Sequence, residues 1–185
     1  CCHPGILGIP LTDGQNQSGK FESFKELIDE VVSEGHRVLV FSQFVEMLKT
    51  MKDHLEKNGV RYSYLDGSTQ NREAIVKDFQ NNPENLVFLL SLKAGGVGLN
   101  LTGADYVIHY DPWWNPAVEN QASDRAYRIG QTKNVMVYKL ITQDSIEEKI
   151  QELQQRKKDL ANLMIDGEGS SASALSENDL RYLFS

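Results

Sequence analysis

Gly35-His-Arg37-Val-Leu-Val-Phe-Ser42 is an apolar run that opens just after a glycine and closes on a small polar residue. Upstream of it Phe21, Phe24, Leu27, Ile28, Val31 and Val32 recur at helical spacing, and Gly35 offers the left-handed position that stops a helix. Downstream, Phe44, Met47, Leu48, Met51 and Leu55 repeat the helical period as far as Asn58-Gly59. A strand-length run without polar alternation is buried on both faces, as a central strand of a parallel sheet must be.

The unit then repeats outward. Strand 60–65, helix 70–80 ending before Asn82-Pro83, strand 86–91, strand 105–110, helix 117–128 and strand 134–141 follow in order. This alternation predicts an α/β fold, a parallel sheet sandwiched between helices. Ligands of such sheets sit at the carboxyl ends of the strands, so the loops after Phe41, Leu65, Leu90 and Tyr110 and the helix near Arg125 are where chemistry is expected. Asp144 with Glu147 three positions later predicts a capping box for a further helix, and Ile146, Ile150, Leu153, Leu160 and Leu163 give it a stripe to pack with. The organisation expected is a linker at 1–19, the main domain at 20–142, a C-terminal helix packing on it at 143–166, and a linker with a short amphipathic terminal helix at 167–185.

With 185 residues the chain is too short for two full-sized nucleotide-binding domains. No stretch approaches the roughly 20 consecutive apolar residues of a membrane helix, so a membrane partner is excluded. Cys1-Cys2-His3-Pro4 carries neither an initiator Met nor the features of a signal peptide, and the sequence reads as a piece of a longer protein. The only two cysteines are adjacent, which supplies neither a disulfide framework nor a zinc shell and points to a reducing intracellular compartment: cytoplasm or nucleoid in a prokaryote, nucleus in a eukaryote. The formal charge of -7 argues against non-specific nucleic-acid binding by broad phosphate neutralisation, so any such contact must be local.

Two glycine-rich stretches are misleading. Gly14-Gln-Asn-Gln-Ser-Gly19-Lys20 resembles a P-loop, but Phe21 replaces the hydroxyl residue that would hold magnesium and no convincing strand precedes it. Gly95-Gly-Val-Gly98 has the wrong spacing for a dinucleotide fingerprint. More informative is Gln121-Ala-Ser-Asp-Arg125-Ala-Tyr-Arg128-Ile-Gly-Gln131, in which Arg125 and Arg128 leave one helix face with Gln121 a turn earlier. Such a pair is commonly a solvated stripe. Beside the carboxyl edge of a parallel sheet it also suits a triphosphate whose charge spreads in the transition state.

Several stretches occur together in one order: Val38-Leu-Val-Phe-Ser-Gln-Phe44, Leu65-Asp-Gly-Ser-Thr69 with Arg72, Ser91-Leu-Lys-Ala-Gly-Gly-Val-Gly-Leu-Asn-Leu101, Asp111-Pro-Trp-Trp-Asn-Pro116 and Gln121 to Gln131. Over roughly residues 20 to 165 the chain resembles the C-terminal, second RecA-like lobe of Swi/Snf-like DNA-dependent ATPases of helicase superfamily 2, motifs IV to VI. The resemblance implies arginine fingers at Arg125 and Arg128, with Gln121 placing the fingers or the attacking water. It implies nucleotide contacts at Gly98 and Asn100, with ATP and Mg2+ held mainly by the missing first lobe. Double-stranded DNA would be held by Ser42 and Gln43, by Gly67, Ser68 and Thr69 through exposed N–H groups of a turn before a helix, by Ser91, Lys93, Gly95 and Gly96, and by Trp114. One of Trp113 and Trp114 is expected to pack in the core. The partners implied are duplex DNA, the N-terminal RecA-like lobe of the same polypeptide and DNA-bound proteins.

No Asp-Glu-x-His is present, and Tyr127 stands where many similar proteins carry His. The lobe alone is therefore expected not to hydrolyse ATP. The alternative is a catalytically silent nucleic-acid-binding or interaction module of the same fold, and the paired arginines favour the motor.

Overall fold

The computed structural model describes residues 18–94, 101–126 and 134–165, the last helix by its backbone beyond Arg156 apart from Lys158. Strands β1 (Val38–Ser42), β2 (Tyr62–Leu65), β3 (Val87–Ser91), β4 (Tyr106–His109) and β5 (Met136–Lys139) form one parallel sheet in the order β2-β3-β1-β4-β5. Helices α1 (Gly19–Ser33), α2 (Val45–Lys57), α3 (Arg72–Asn81), α4 (Pro116–Ser123) and α5 (Ile146–Ile165) accompany it. Among the described residues no helix is long and apolar enough to cross a membrane.

The side-chain period of two divides β1 between two cores. Val38 and Val40 meet Phe24, Ile28 and Val31 of α1 and Met47, Leu48, Met51 and Leu55 of α2, whereas Leu39 and Phe41 meet Phe79 of α3 and Ala122 of α4. All five residues of β1 and of β3 are buried, as expected for strands covered on both faces. Gly35 and Gly59 hold φ of +75° and +67° at the ends of α1 and α2, so both helices stop where the sequence places a residue without a Cβ.

The start of α5 differs from the expectation. Asp144 has φ +52° and lies outside the helix; Ser145 is the capping residue, its Oγ accepting the Glu147 N–H at 3.1 Å, while Glu148 reaches back to accept the Asp144 N–H at 2.8 Å. The box is displaced by one residue, and Glu147 is thereby freed for a longer-range bond. Its carboxylate accepts both the Thr142 N–H at 2.8 Å and the Lys20 ammonium at 2.7 Å, with side chains only 3% and 5% exposed. Lys20, the lysine of the false P-loop, thus fastens α1 to α5 and also lies 4.9 Å from the centre of the Tyr110 ring. Of the stripe expected on α5, Leu153 is buried but Ile146 is exposed, because the displaced cap turns Ile146 outward at the first helical position.

Two stability predictions follow from these buried charges. Lys20→Met leaves Glu147 buried and unpaired and should cost about 3 kcal/mol by urea denaturation. Adding Glu147→Gln removes the stranded charge while keeping an acceptor for Thr142, and should restore most of the loss; no recovery would mean that Lys20 acts by packing alone.

His109 is buried at the end of β4, with its ring stacked on Phe41 at 5.5 Å and Nε2 2.9 Å from Ser123 Oγ. Burial pushes its pKa down to about 4. The unfolded chain therefore takes up the proton first as pH falls, so the stability tied to neutral His109 is complete above about 6.5 and is lost progressively towards 4, by about 3 kcal/mol. His109→Gln should flatten the denaturation midpoint over this range, and a profile unchanged by the substitution would refute the assignment.

Candidate functional site

Because every strand runs the same way, their carboxyl ends share one edge. Ser42 and Ser91 are register partners there, and the Leu92 N–H donates to the Ser42 carbonyl at 3.0 Å. Both serines are buried. The Ser42 hydroxyl makes a short hydrogen bond to Asp111 Oδ2, and that same oxygen accepts the Gln43 N–H at 3.1 Å. Asp111, beyond β4, therefore holds the exit of β1, and Ser42 belongs to the scaffold beneath the edge. Gln43 is half-buried above it, while Lys93 is exposed.

The turn after β2 is built around Asp66. Its Oδ1 accepts the Ser68 hydroxyl at 2.7 Å, the Ser68 N–H at 2.9 Å and the Thr69 hydroxyl at 3.1 Å, and its Oδ2 accepts the Tyr64 hydroxyl at 2.9 Å. The Ser68 hydroxyl and these further donors hold the Asp66 carboxyl down at about 2, against the opposing effect of burial. The Thr69 N–H donates to the Asp66 carbonyl at 3.3 Å. The N–H groups of Ser68 and Thr69, expected to be open to a phosphate, are thus already used within the turn. Nor does the turn itself begin the next helix, which starts after Asn71 at φ +55°. Gly67 and Ser68 remain exposed and Thr69 half-buried. Arg72 ties this turn to the neighbouring loop, donating to the carbonyls of Gly67 and Ala94 at 3.3 Å each.

The two tryptophans separate cleanly. Trp113 packs against the core shared by α3 and α4, whereas Trp114 lies 6.2 Å from it, ring centre to ring centre, and belongs to neither core. Trp113 is also held by its backbone: its N–H donates to Glu119 Oε1 at 2.6 Å, and its carbonyl accepts a short hydrogen bond from Gln154 of α5. Asn115 caps α4 by accepting the Ala117 N–H at 3.1 Å, with Pro116 at the first helical position.

Helix α4 ends at Ser123, sooner than the sequence suggested, and a turn carries Asp124 to Ala126. Ser123 is bonded to His109, which keeps the last turn of α4 close to the carboxyl end of β4. Gln121 is exposed. Arg125 is only 4% exposed, and its carbonyl accepts the Leu101 N–H at 3.0 Å, tying the exit of the preceding glycine-rich motif to this turn. A solvated arginine stripe would stand out in water, and Arg125 does not. Gly95, Gly96, Gly98, Asn100 and Arg128 lie outside the described residues.

Asp66, Asp111, Glu119, Lys139 and Gln154 were not singled out from sequence, yet they hold the loops. Their only local signal is the placement of Asp66 and Asp111 just beyond strand ends; the partners of Glu119 and Gln154 lie in other elements.

A family model, the helicase conserved C-terminal domain, matches residues 19–130. The chromatin-remodeling ATPase INO80 of Gibberella zeae is 47% identical over 172 residues, covering 90% of this chain and 9% of that protein. Among solved structures, the C-terminal part of the Fun30 ATPase domain matches with a TM-score of 0.76 at 34% identity, over 97% of this chain and 56% of that one. The Sulfolobus solfataricus SWI2/SNF2 ATPase core in complex with double-stranded DNA gives 0.72 at 39% identity, over 98% and 38%. The chain thus spans a small part of the remodeller it matches. The match over most of the parallel sheet, together with these identities, means that the chain belongs to the helicase C-terminal domain family, as the RecA-like C-terminal lobe of Swi/Snf-like superfamily 2 ATPases.

Proposed function

We propose that this chain is the second motor lobe of an ATP-dependent double-stranded-DNA translocase or remodelling ATPase. One arrangement carries the reading. The hydrogen bond between Ser123 and His109 keeps the α4 end, which leads into Arg125, beside the same sheet edge that carries the loops of Gln43, Lys93 and Trp114. In this role Arg125 and Arg128 act as arginine fingers towards an ATP whose phosphates and Mg2+ are held mainly by the N-terminal RecA-like lobe. Gln121 places the fingers or the water, and Gly98 and Asn100 face the nucleotide. Duplex DNA lies along Gln43, Gly67, Ser68, Thr69, Lys93, Gly95, Gly96 and Trp114, over a floor made by Ser42 and Ser91. With the side chains of Ser42 and Ser91 buried, their part is to shape the edge, and the charge comes from Lys93. Protein bound to that DNA is what such a motor would move or displace, in whichever compartment holds the DNA.

One observation favours the silent-module reading: a finger must present its guanidinium across an interlobe cleft, and Arg125 is buried in this lobe. Kinetics separate the two. In the full-length protein Arg125→Ala or Arg128→Ala should lower kcat for ATP by about 100-fold or more while DNA affinity changes by only a few-fold, because fingers act on charge that develops in the transition state. The lone lobe, lacking the phosphate cradle, serves as the inactive control. Lost DNA binding with normal turnover would move this helix to the DNA, and no effect on either would favour the silent module.

Lys93 and Trp114 should fail differently from the arginines. Lys93→Ala should weaken duplex binding and lower the slope of log affinity against log salt by about one unit. Trp114→Ala should leave substantial ATP turnover but reduce the DNA displaced per ATP in a triplex-displacement assay. A proportional loss of both activities would make Trp114 a packing residue like Trp113.

A further inference from the structure

Glu119 has no part in the assignments above, yet it is 1% exposed and stands at the junction of three elements. It lies on α4, the helix that leads into Arg125. Its Oε1 accepts the Trp113 N–H at 2.6 Å, and its Oε2 accepts a short bond from the ammonium of Lys139 on β5. The two partners are unlike. Lys139 keeps 31% of its side chain exposed and can swing its charge into water, whereas the Trp113 N–H donates to Glu119 and the carbonyl of the same residue is already held by Gln154. A buried carboxylate is costly to keep, so a position that only needed to pack would be filled better by an apolar side chain of the same size.

We propose that Glu119 is a positioning residue that couples the tryptophan loop to α4 and the turn bearing Arg125 that follows it. This rests on the motor reading above. Its carboxylate clasps the Pro112–Trp113 peptide, one residue before Trp114, onto α4, so that a displacement of Trp114 by DNA is delivered to the turn bearing Arg125 and not absorbed within the loop. Three neighbours make the transfer stiff. The bond between Ser123 and His109 stops α4 from sliding on β4, the bond from Gln154 stops the loop from lifting, and the Leu101 N–H bonded to the Arg125 carbonyl holds the far end of the turn. Lys139 balances the charge; the coupling passes through the hydrogen bond to Trp113.

The proposal separates the hydrogen bond from the charge, and so does its test, in the full-length protein, by basal ATPase, DNA-stimulated ATPase and triplex displacement per ATP. Glu119→Leu removes the acceptor and should lower displacement per ATP by about tenfold, with basal turnover within about threefold of the unsubstituted protein. Glu119→Gln combined with Lys139→Met keeps an acceptor for Trp113, removes the ion pair and should retain coupling. Glu119→Asp keeps the charge beside Lys139 but shortens the reach to Trp113; it should lose coupling in part, and it decides the matter if Glu119→Leu does not fold. Normal coupling in Glu119→Asp, equal losses in the leucine variant and the double variant, or basal and stimulated rates falling in the same proportion would each overturn the proposal. If the unsubstituted protein shows no DNA-stimulated turnover, the motor reading fails first, and that result arises before any change at Glu119.

Discussion

Strand β1 is hydrogen-bonded along both edges, to β3 and to β4, and the placement of the functional loops follows from that pairing. It sets Ser42 beside Ser91 and Phe41 beside His109, which brings the ends of three strands from distant parts of the sequence into one row. A parallel pair cannot be joined by a tight turn, so the chain must return by a crossover connection before each neighbour of β1, and all the strand exits fall on the same side. The short bond from Ser42 to Asp111 fixes that row further by tying the β1 exit to the loop of the two tryptophans.

The acidic composition looks different once the acids are placed. Net charge of -7 suggests a surface that repels DNA, but Asp66, Asp105, Asp111, Glu119 and Glu147 are all buried. Glu147 and Glu119 are paired with lysines, and Asp66 is surrounded by hydroxyl and amide donors. These carboxylates hold loops in place from beneath. Asp66 illustrates the trade: most of the donors that hold its pKa down at about 2 are hydroxyl and amide groups of the very turn expected to offer itself to a phosphate. A charge count made from sequence cannot tell a carboxylate that meets a ligand from one that shapes the loop around it.

What was legible in the sequence was whatever depended on local period. The alternation around Val38–Ser42, the helical spacing from Phe21 to Val32 and the glycine stops at 35 and 59 all correspond to observed elements, with ends displaced by a residue or two. What was not legible depended on partners far along the chain. Glu147 looked like a cap because Asp144 stands three residues before it, and nothing nearby reveals Lys20, 127 positions away. Trp113 and Trp114 are indistinguishable as neighbours in a loop; only the core under α3 and α4 and the carboxylate of Glu119 tell which of them is the anchor. The Swi/Snf-like motifs were visible as a family pattern, while the bonds that connect those motifs to one another were not.

Those connecting bonds bear on how such a lobe would move. The stretches of family motif are fastened to one another, Ser42 to Asp111, Arg72 to Ala94 and Leu101 to Arg125, and to the elements between them, Trp113 to Glu119 and Ser123 to His109. Packed and hydrogen-bonded elements of this kind change by discrete rearrangement and not by smooth bending. A loop free to flex on its own would let DNA contact and nucleotide contact drift apart in time, and energy released at one would be lost before reaching the other. Loops bonded to one another in this way would instead shift together. On the proposed function, that places the work of coupling in closure against the other lobe and leaves this one to act as a rigid lever.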